Sequence, residues 1–333
     1  MSSQGPVATA TDTATDTAVT AATAVRWRWL AFAVAIAASV MDLLDGTVAN
    51  VAAPVIRHEL GGSYSLIQWI SAAYTLAMAA GLLTGGRLGD LFGRKRMLLI
   101  GLAGFVAASA GCAVAATPGE LIAARTIQGA AGAMMLPQVF GLLRDLFDER
   151  EIGKALGIFG AAMGLSAMLG PIVSGGLIGL DLFSTGWRMI FLVNVPIGVV
   201  VLVLGARLLP AAPTTSRRAR LDFVGVALAG AAMLLLVFPL VEGRDLGWPP
   251  WVIGLLVASV PVLGLFAHHQ RRRERRGATP LVEPSIFRRR SYVAGVAFAL
   301  VFVSSLGGIV LIFNVFLQAG AGFTPSLSAV LVT

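Results

Sequence analysis

A chain of 333 residues that is 57% hydrophobic and only 13% charged, with a mean hydropathy of +0.84, cannot fold as a typical water-soluble globule. Its formal charge of +8 does not point to nucleic acid, because that reading needs a basic patch on an accessible folded surface. Here the basic residues recur in alternate breaks between long apolar runs, so the expected fold class is an all-α polytopic membrane protein whose helices satisfy their own backbone in lipid. Cys112 is the single cysteine, and His58, His268 and His269 have no metal-ligand partners at useful spacing, so no disulfide framework, metal site or cofactor is expected. There is no P-loop lysine and no nucleophile elbow, and the chain does not read as an enzyme.

In chain order, residues 1–25 are an Ala/Thr-rich tract with two aspartates, too poor in large apolar groups to fold alone, and read as a disordered cytoplasmic tail. Helix 1 follows at roughly 29–54, with Trp27 and Trp29 placed for the interfacial aromatic belt. It carries Asp42 and Asp45, three apart and so about 60° around one face. A charged carboxylate at mid-membrane costs about 2.5–3.5 kcal/mol on insertion scales, so two on one face imply a polar partner or a cavity. One of them binds a proton or a cationic substrate, or both serve only to pair with a neighbouring helix.

Between apolar runs at roughly 67–88 and 97–116 lies Gly85-Gly86-Arg87-Leu88-Gly89-Asp90-Leu91-Phe92-Gly93-Arg94-Lys95-Arg96, a glycine-rich basic break that reads as a tight cytoplasmic turn. Gly81, Gly85, Gly89 and Gly93 fall four apart and offer another helix a side-chain-free stripe if helix 2 reaches the turn. With the N-terminus cytoplasmic, only Arg57, Arg188 and Arg244 of the 25 basic residues fall in outside segments and only Arg125 within a span, which fixes that orientation by the positive-inside effect. The break resembles the signature loop between helices 2 and 3 of major facilitator superfamily transporters, with Gly86, Leu88, Asp90, Gly93, Arg94 and Lys95 on its positions and Leu91 where the family often has a basic residue. By that resemblance Gly86, Gly89, Asp90, Gly93, Arg94 and Lys95 are candidates for a gating loop. The helix 1 run from Met41 to Pro54 is similar to the drug:proton antiporter branch with fourteen helices, matching at Asp45, Thr47, Asn50 and Pro54.

Helix 4, roughly 121–143, contains Arg125-Thr126-Ile127-Gln128-Gly129 among small residues, and resembles the family's fourth-helix motif, whose arginine is associated with proton coupling. The alternative is an arginine snorkelling to the outer interface about a turn away. Helix 5, roughly 154–180, carries Gly170, Pro171, Ser174 and Gly175, where a bend and close helix contact are expected. It resembles the antiporter motif, with Ser174 in place of its first glycine. Trp187 to Gly198 opens helix 6 and resembles the same branch. Residues 26–209 thus form an N-terminal six-helix bundle, a 3+3 inverted repeat in the family's fold. Residues 210–290 hold a linker, two extra central helices at about 222–241 and 251–269, and a basic cytoplasmic loop that sets topology. Helix 9, roughly 291–317, begins a C-terminal bundle (291–333) that stops short, so the expectation is a partial chain.

The resemblance implies a plasma-membrane exporter that works as a monomer, exchanging protons for amphipathic drugs or antibiotics through the lipid bilayer. Asp45 is the expected proton site because it matches the family position, with Asp42 and Arg125 in support. A non-transporting scaffold or regulatory partner, and an exporter of another small solute such as an amino acid or siderophore, are the readings left open.

Overall fold

The structure, a computed structural model, describes residues 10–317 apart from 64, 181–184, 211–221, 279 and 283. Its helices are α1 (Ala10–Leu60), α2 (Ser65–Phe92), α3 (Arg94–Val114), α4 (Pro118–Leu146), α5 (Glu149–Leu180), α6 (Met189–Leu192), α7 (Asn194–Leu208), α8 (Phe223–Glu242), α9 (Pro250–Arg275) and α10 (Arg290–Val315). Among the described residues eight helical segments are long and apolar enough to cross a membrane, α6 and α7 together making one of them. The linker expected at 210–220 and the end of the chain from 318 lie outside the described residues, apart from Pro210.

Several boundaries differ from the sequence expectation. Helix α1 is described from Ala10, within the tract read from the sequence as a tail over residues 1–25. Alanine is the best helix former, and adding residues to an existing helix avoids the cost of nucleation. Pro54 does not end α1, which continues to Leu60: a proline removes one backbone hydrogen bond, whereas leaving the helix in lipid would strand several groups. Helix α4 starts at Pro118 because Thr117 accepts from the Glu120 amide at 3.2 Å while Glu120 accepts from the Thr117 amide at 3.3 Å, a reciprocal cap.

The largest correction concerns the turn expected over residues 85–96. Helix α2 runs on to Phe92 and α3 begins at Arg94, so the break is Gly93 alone, at φ 93° and ψ 134°. A side chain is strained there, and one glycine reverses the chain without a loop. The glycine stripe therefore lies on α2 and faces α4, the most extensive helix pair in the molecule. A Cβ on Gly81 would meet that of Ala133, one on Gly85 would run into the Ala133 carbonyl, and one on Gly89 would meet the end of Gln138. Gln138 in turn donates to the Gly85 carbonyl at 2.7 Å. Because backbone cannot step aside as a flexible side chain can, Gly85→Ala should cost about 1–3 kcal/mol as overpacking. Gly157→Ala, at an open position on α5, should be neutral or slightly stabilising. A thermal melt that follows exposure of buried Cys112 to a maleimide dye separates the two, and equal melting points would refute the close approach.

Helix α8 packs on α9 and on α2, so the two central helices dock against the six-helix bundle. At one end the Asp245 carboxylate accepts from the Ser65 amide at 2.9 Å, at the positive N-terminus of α2, and Glu242 accepts from the Trp69 indole. At the other, Asp222 caps α8 through the Gly225 amide at 2.9 Å and meets His269 at 2.9 Å, Gln270 at 3.0 Å and Arg273 at 3.4 Å. Burial pushes the Asp222 carboxyl up, but the bonds from His269, Gly225 and Gln270 and the charge of Arg273 outweigh it and hold the group below the usual carboxylate range. His269 is thereby part of this joint.

The apolar core falls into two clusters. One gathers Phe32, Met41, Leu98, Leu102, Phe105, Met135, Leu142 and Phe147. The other gathers Val48, Ile56, Ile70, Cys112, Leu121, Trp187 and Phe191. Each of α1, α3 and α4 contributes to both, and the polar side chains of those helices lie between.

Candidate functional site

The layer between the two apolar clusters is built from polar side chains of α1, α3, α4 and α7 and a backbone carbonyl of α2. Arg125 of α4 is fully buried, and its Nη1 donates to Asp45 Oδ2 of α1 at 2.5 Å and to Gln128 Oε1 at 2.7 Å. Its Nε donates to the Ile70 carbonyl of α2 at 3.0 Å. The guanidinium lies 4.4 Å from the Tyr74 ring centroid and 5.8 Å from that of Phe191, a stacking that suits its planar, weakly hydrated charge. The other Asp45 oxygen accepts from Gln128 Nε2 at 2.9 Å and from Asn194 Nδ2 of α7 at 2.6 Å. Ser109 of α3 takes a bond from Gln128 at 2.8 Å.

Both partners of the Asp45–Arg125 pair are 1% exposed in their side chains, which rules out an arginine snorkelling to the interface. A buried pair of this kind survives because further hydrogen bonds, from Gln128 and Asn194 to Asp45 and from Arg125 to Gln128 and the Ile70 carbonyl, add to the attraction; desolvation would otherwise exceed it.

Asp42 has different surroundings. The 60° between it and Asp45 turns it out of the layer and onto the wall of a cavity of about 520 Å³, bordered also by Thr47, Asn50, Ser71, Met78 and Phe159. Tyr74 Oη donates to Asp42 Oδ1 at 2.5 Å. Gly132 leaves the carboxylate its space, since a Cβ there would press on Oδ1. Arg125 also borders the cavity, whereas Asp45 does not, so the cavity touches the ion pair only from the arginine side. The arrangement holds one permanently paired carboxylate and, beside it, a second carboxylate with a single side-chain donor and access to a space large enough for a small molecule.

The gating-loop candidates lie around the junction of α2 and α3. Arg94 pairs with Asp145 at 2.8 Å, reaches Asp90 at 3.8 Å and donates to the Gly141 carbonyl of α4. Lys95 donates to the carbonyls of Ala206 at 2.8 Å and Leu209 at 2.7 Å, capping α7. Gly86, Asp90 and Arg94 line a second cavity of about 450 Å³ between α2 and α4. The structure does not bring these residues together with the charge layer. On α5 a Cβ at Gly170 would meet Thr47 of α1, whereas Gly175 faces open space. Pro171 sits within the helix, and the Ser174 side chain lies outside the described positions.

Sequence reasoning assigned no role to Tyr74, Ser109, Gln128 or Asn194. The available signal was a hydrogen-bonding side chain inside an apolar run, which in lipid needs a partner.

Spanning helices packed through glycines around a buried charge layer, with a cavity at its edge, define a multi-pass membrane protein of transporter architecture. The chain belongs to the Major Facilitator Superfamily, whose family model matches residues 30–333. It is 51% identical over 308 residues to a probable actinorhodin transporter of Streptomyces coelicolor, covering 92% of this chain and 53% of that protein. It is 38% identical over 309 residues to the puromycin resistance protein of Streptomyces alboniger, covering 92% of this chain and 59% of that one. The chain thus spans about half the length of the curated relatives it matches. Among solved structures, a peptide transporter crystallised with sulfate superimposes with a TM-score of 0.57 at 16% identity, covering 90% of this chain and 65% of that one, which establishes the shared fold.

Proposed function

We propose that this chain serves in proton-coupled export of amphipathic, cationic drugs or antibiotics across the plasma membrane, with its N-terminus and basic loops cytoplasmic. The observation that carries the reading is Asp42, a carboxylate on the wall of a mostly apolar cavity within two helix turns of a satisfied ion pair. Such an acid can hold a proton when the cavity is empty and release it when a cationic substrate takes its place. Relatives that include a probable actinorhodin transporter, a puromycin resistance protein and a tetracenomycin C resistance and export protein agree with it. Asp45 and Arg125 set the field and position of that site and do not themselves exchange the proton. The role that family resemblance assigned to Asp45 passes in this reading to Asp42.

Exchange of one proton for one monovalent cation moves no net charge, so the pH difference drives it, at about tenfold per unit. The test is the full-length protein in proteoliposomes with an imposed pH gradient. Amphipathic cations should move against the proton flow, and a protonophore should stop them. Movement that ignores the gradient would overturn the coupling, and a panel of antibiotics none of which moves would overturn drug export.

A further inference from the structure

We infer that the cytoplasmic end of α9 binds one anionic phospholipid, its phosphate on Arg271 and an acyl chain in the groove between α9 and the segment that follows it. The groove, about 370 Å³, is formed on one side by Leu263, Phe266, Ala267 and Arg271, which share one face of α9, and on the other by Val282 and Phe287. Its outer wall is fixed in place. Gln270 Oε1 accepts from the Leu281 amide at 2.7 Å while its Nε2 is held by Asp222 at 3.0 Å, and Arg87 of α2 donates to the Pro280 carbonyl at 2.8 Å. The segment that leads to Phe287 is thus tied at Leu281 to α9 and at Pro280 to α2.

The charge around this groove is mainly basic, with Glu274 and Glu283 as the acidic residues of the stretch. Arg271, Arg272, Arg275 and Arg276 at the end of α9 and Arg288, Arg289 and Arg290 after the 3₁₀ turn (Pro284–Arg288) are all exposed. Arg273 is committed to Asp222. A pocket with an apolar floor and a guanidinium at its rim, at the level where a spanning helix leaves the membrane, selects a molecule with a hydrocarbon chain and an anionic head. Zwitterionic lipid satisfies the floor but cancels the rim. The inference rests on the proposed orientation for the leaflet it names, and on nothing else in the functional reading.

The full-length protein, purified with equimolar phosphatidylglycerol and phosphatidylcholine, should retain phosphatidylglycerol preferentially in native mass spectrometry. Arg271→Gln should cut that retention by about tenfold, the worth of one charge-assisted hydrogen bond. Arg272→Gln makes the same change in net charge one residue away, outside the groove, and should cut it less than about twofold by diffuse screening. Phe287→Ala should lower retention with no change in charge. Equal losses from the two arginine variants would mean diffuse attraction and overturn the site, as would full retention in Phe287→Ala or equal retention of the two lipids by the unaltered protein. Labelling of a cysteine at position 276 from outside the cell would overturn only the leaflet, leaving the retention result to stand or fall by itself.

Discussion

Replacing Arg125 by glutamine should destabilise the folded chain by about 3–5 kcal/mol, the cost of leaving one charge of a buried pair uncompensated. The stranded charge is Asp45, 1% exposed, with Gln128 and Asn194 as its remaining donors. Asp45→Asn should cost a similar amount for the opposite reason, since the Arg125 guanidinium keeps only the Ile70 carbonyl, Gln128 and two aromatic faces. The double variant should recover most of the loss, because two neutral amides leave no charge in the layer and Gln128 and Asn194 still find acceptors. Denaturant or thermal unfolding in detergent reads all three. Near-neutral single variants would show that water reaches the pair. Additive losses in the double variant would show that the two residues act through other partners.

Asp42→Asn should keep the fold and abolish transport driven by a pH gradient. Asparagine is nearly isosteric, and its carbonyl still accepts from Tyr74, so the cavity wall is preserved while the exchangeable proton is gone. Transport in proteoliposomes should fall to the rate seen without a gradient, and downhill substrate exchange should persist. Tyr74→Phe removes the donor but leaves the acid, and should slow coupled transport without uncoupling it. Unchanged coupled transport in Asp42→Asn would place the proton site elsewhere. The contrast between the acids is sharp: loss of Asp45 appears first as instability, loss of Asp42 first as uncoupling.

Periodicity and apolar length announced the spans, and single residues announced most of their ends, yet the sequence could not say how sharp the turn at Gly93 would be. A run of glycines and basic residues reads equally as a loop or as a helix that carries its packing stripe to the last turn. The acids on α1 were legible as a pair but not as two different environments. The 60° between them decides which faces α4 and which faces the cavity, and that depends on the rotation of α1 against its neighbours, which no local pattern encodes. Gln128 and Asn194 were visible as polar residues in apolar runs, yet their common partner, Asp45, lies 83 and 149 residues away along the chain. Expected crowding along the small face of α5 is realised at Gly170 but not at Gly160, Gly164, Gly175 or Gly176, where a Cβ would meet open space, because the helix rather than the residue chooses its neighbour.

The layer that joins α1, α2, α3, α4 and α7, at Asp45, Ile70, Ser109, Arg125 and Asn194, also limits how the bundle can move. A helix that slid or tilted away from the others at that level would carry a charge or an amide into hydrocarbon without its partner, at a cost of several kcal/mol. The purely apolar contacts on either side face no such cost, since one methyl contact replaces another with little loss. The helices are therefore held most firmly to one another at the level of this layer. If Asp42 exchanges protons as proposed, exposing it first to one side of the membrane and then to the other calls for these helices to move together, with the contacts between Asp45 and Arg125 kept intact.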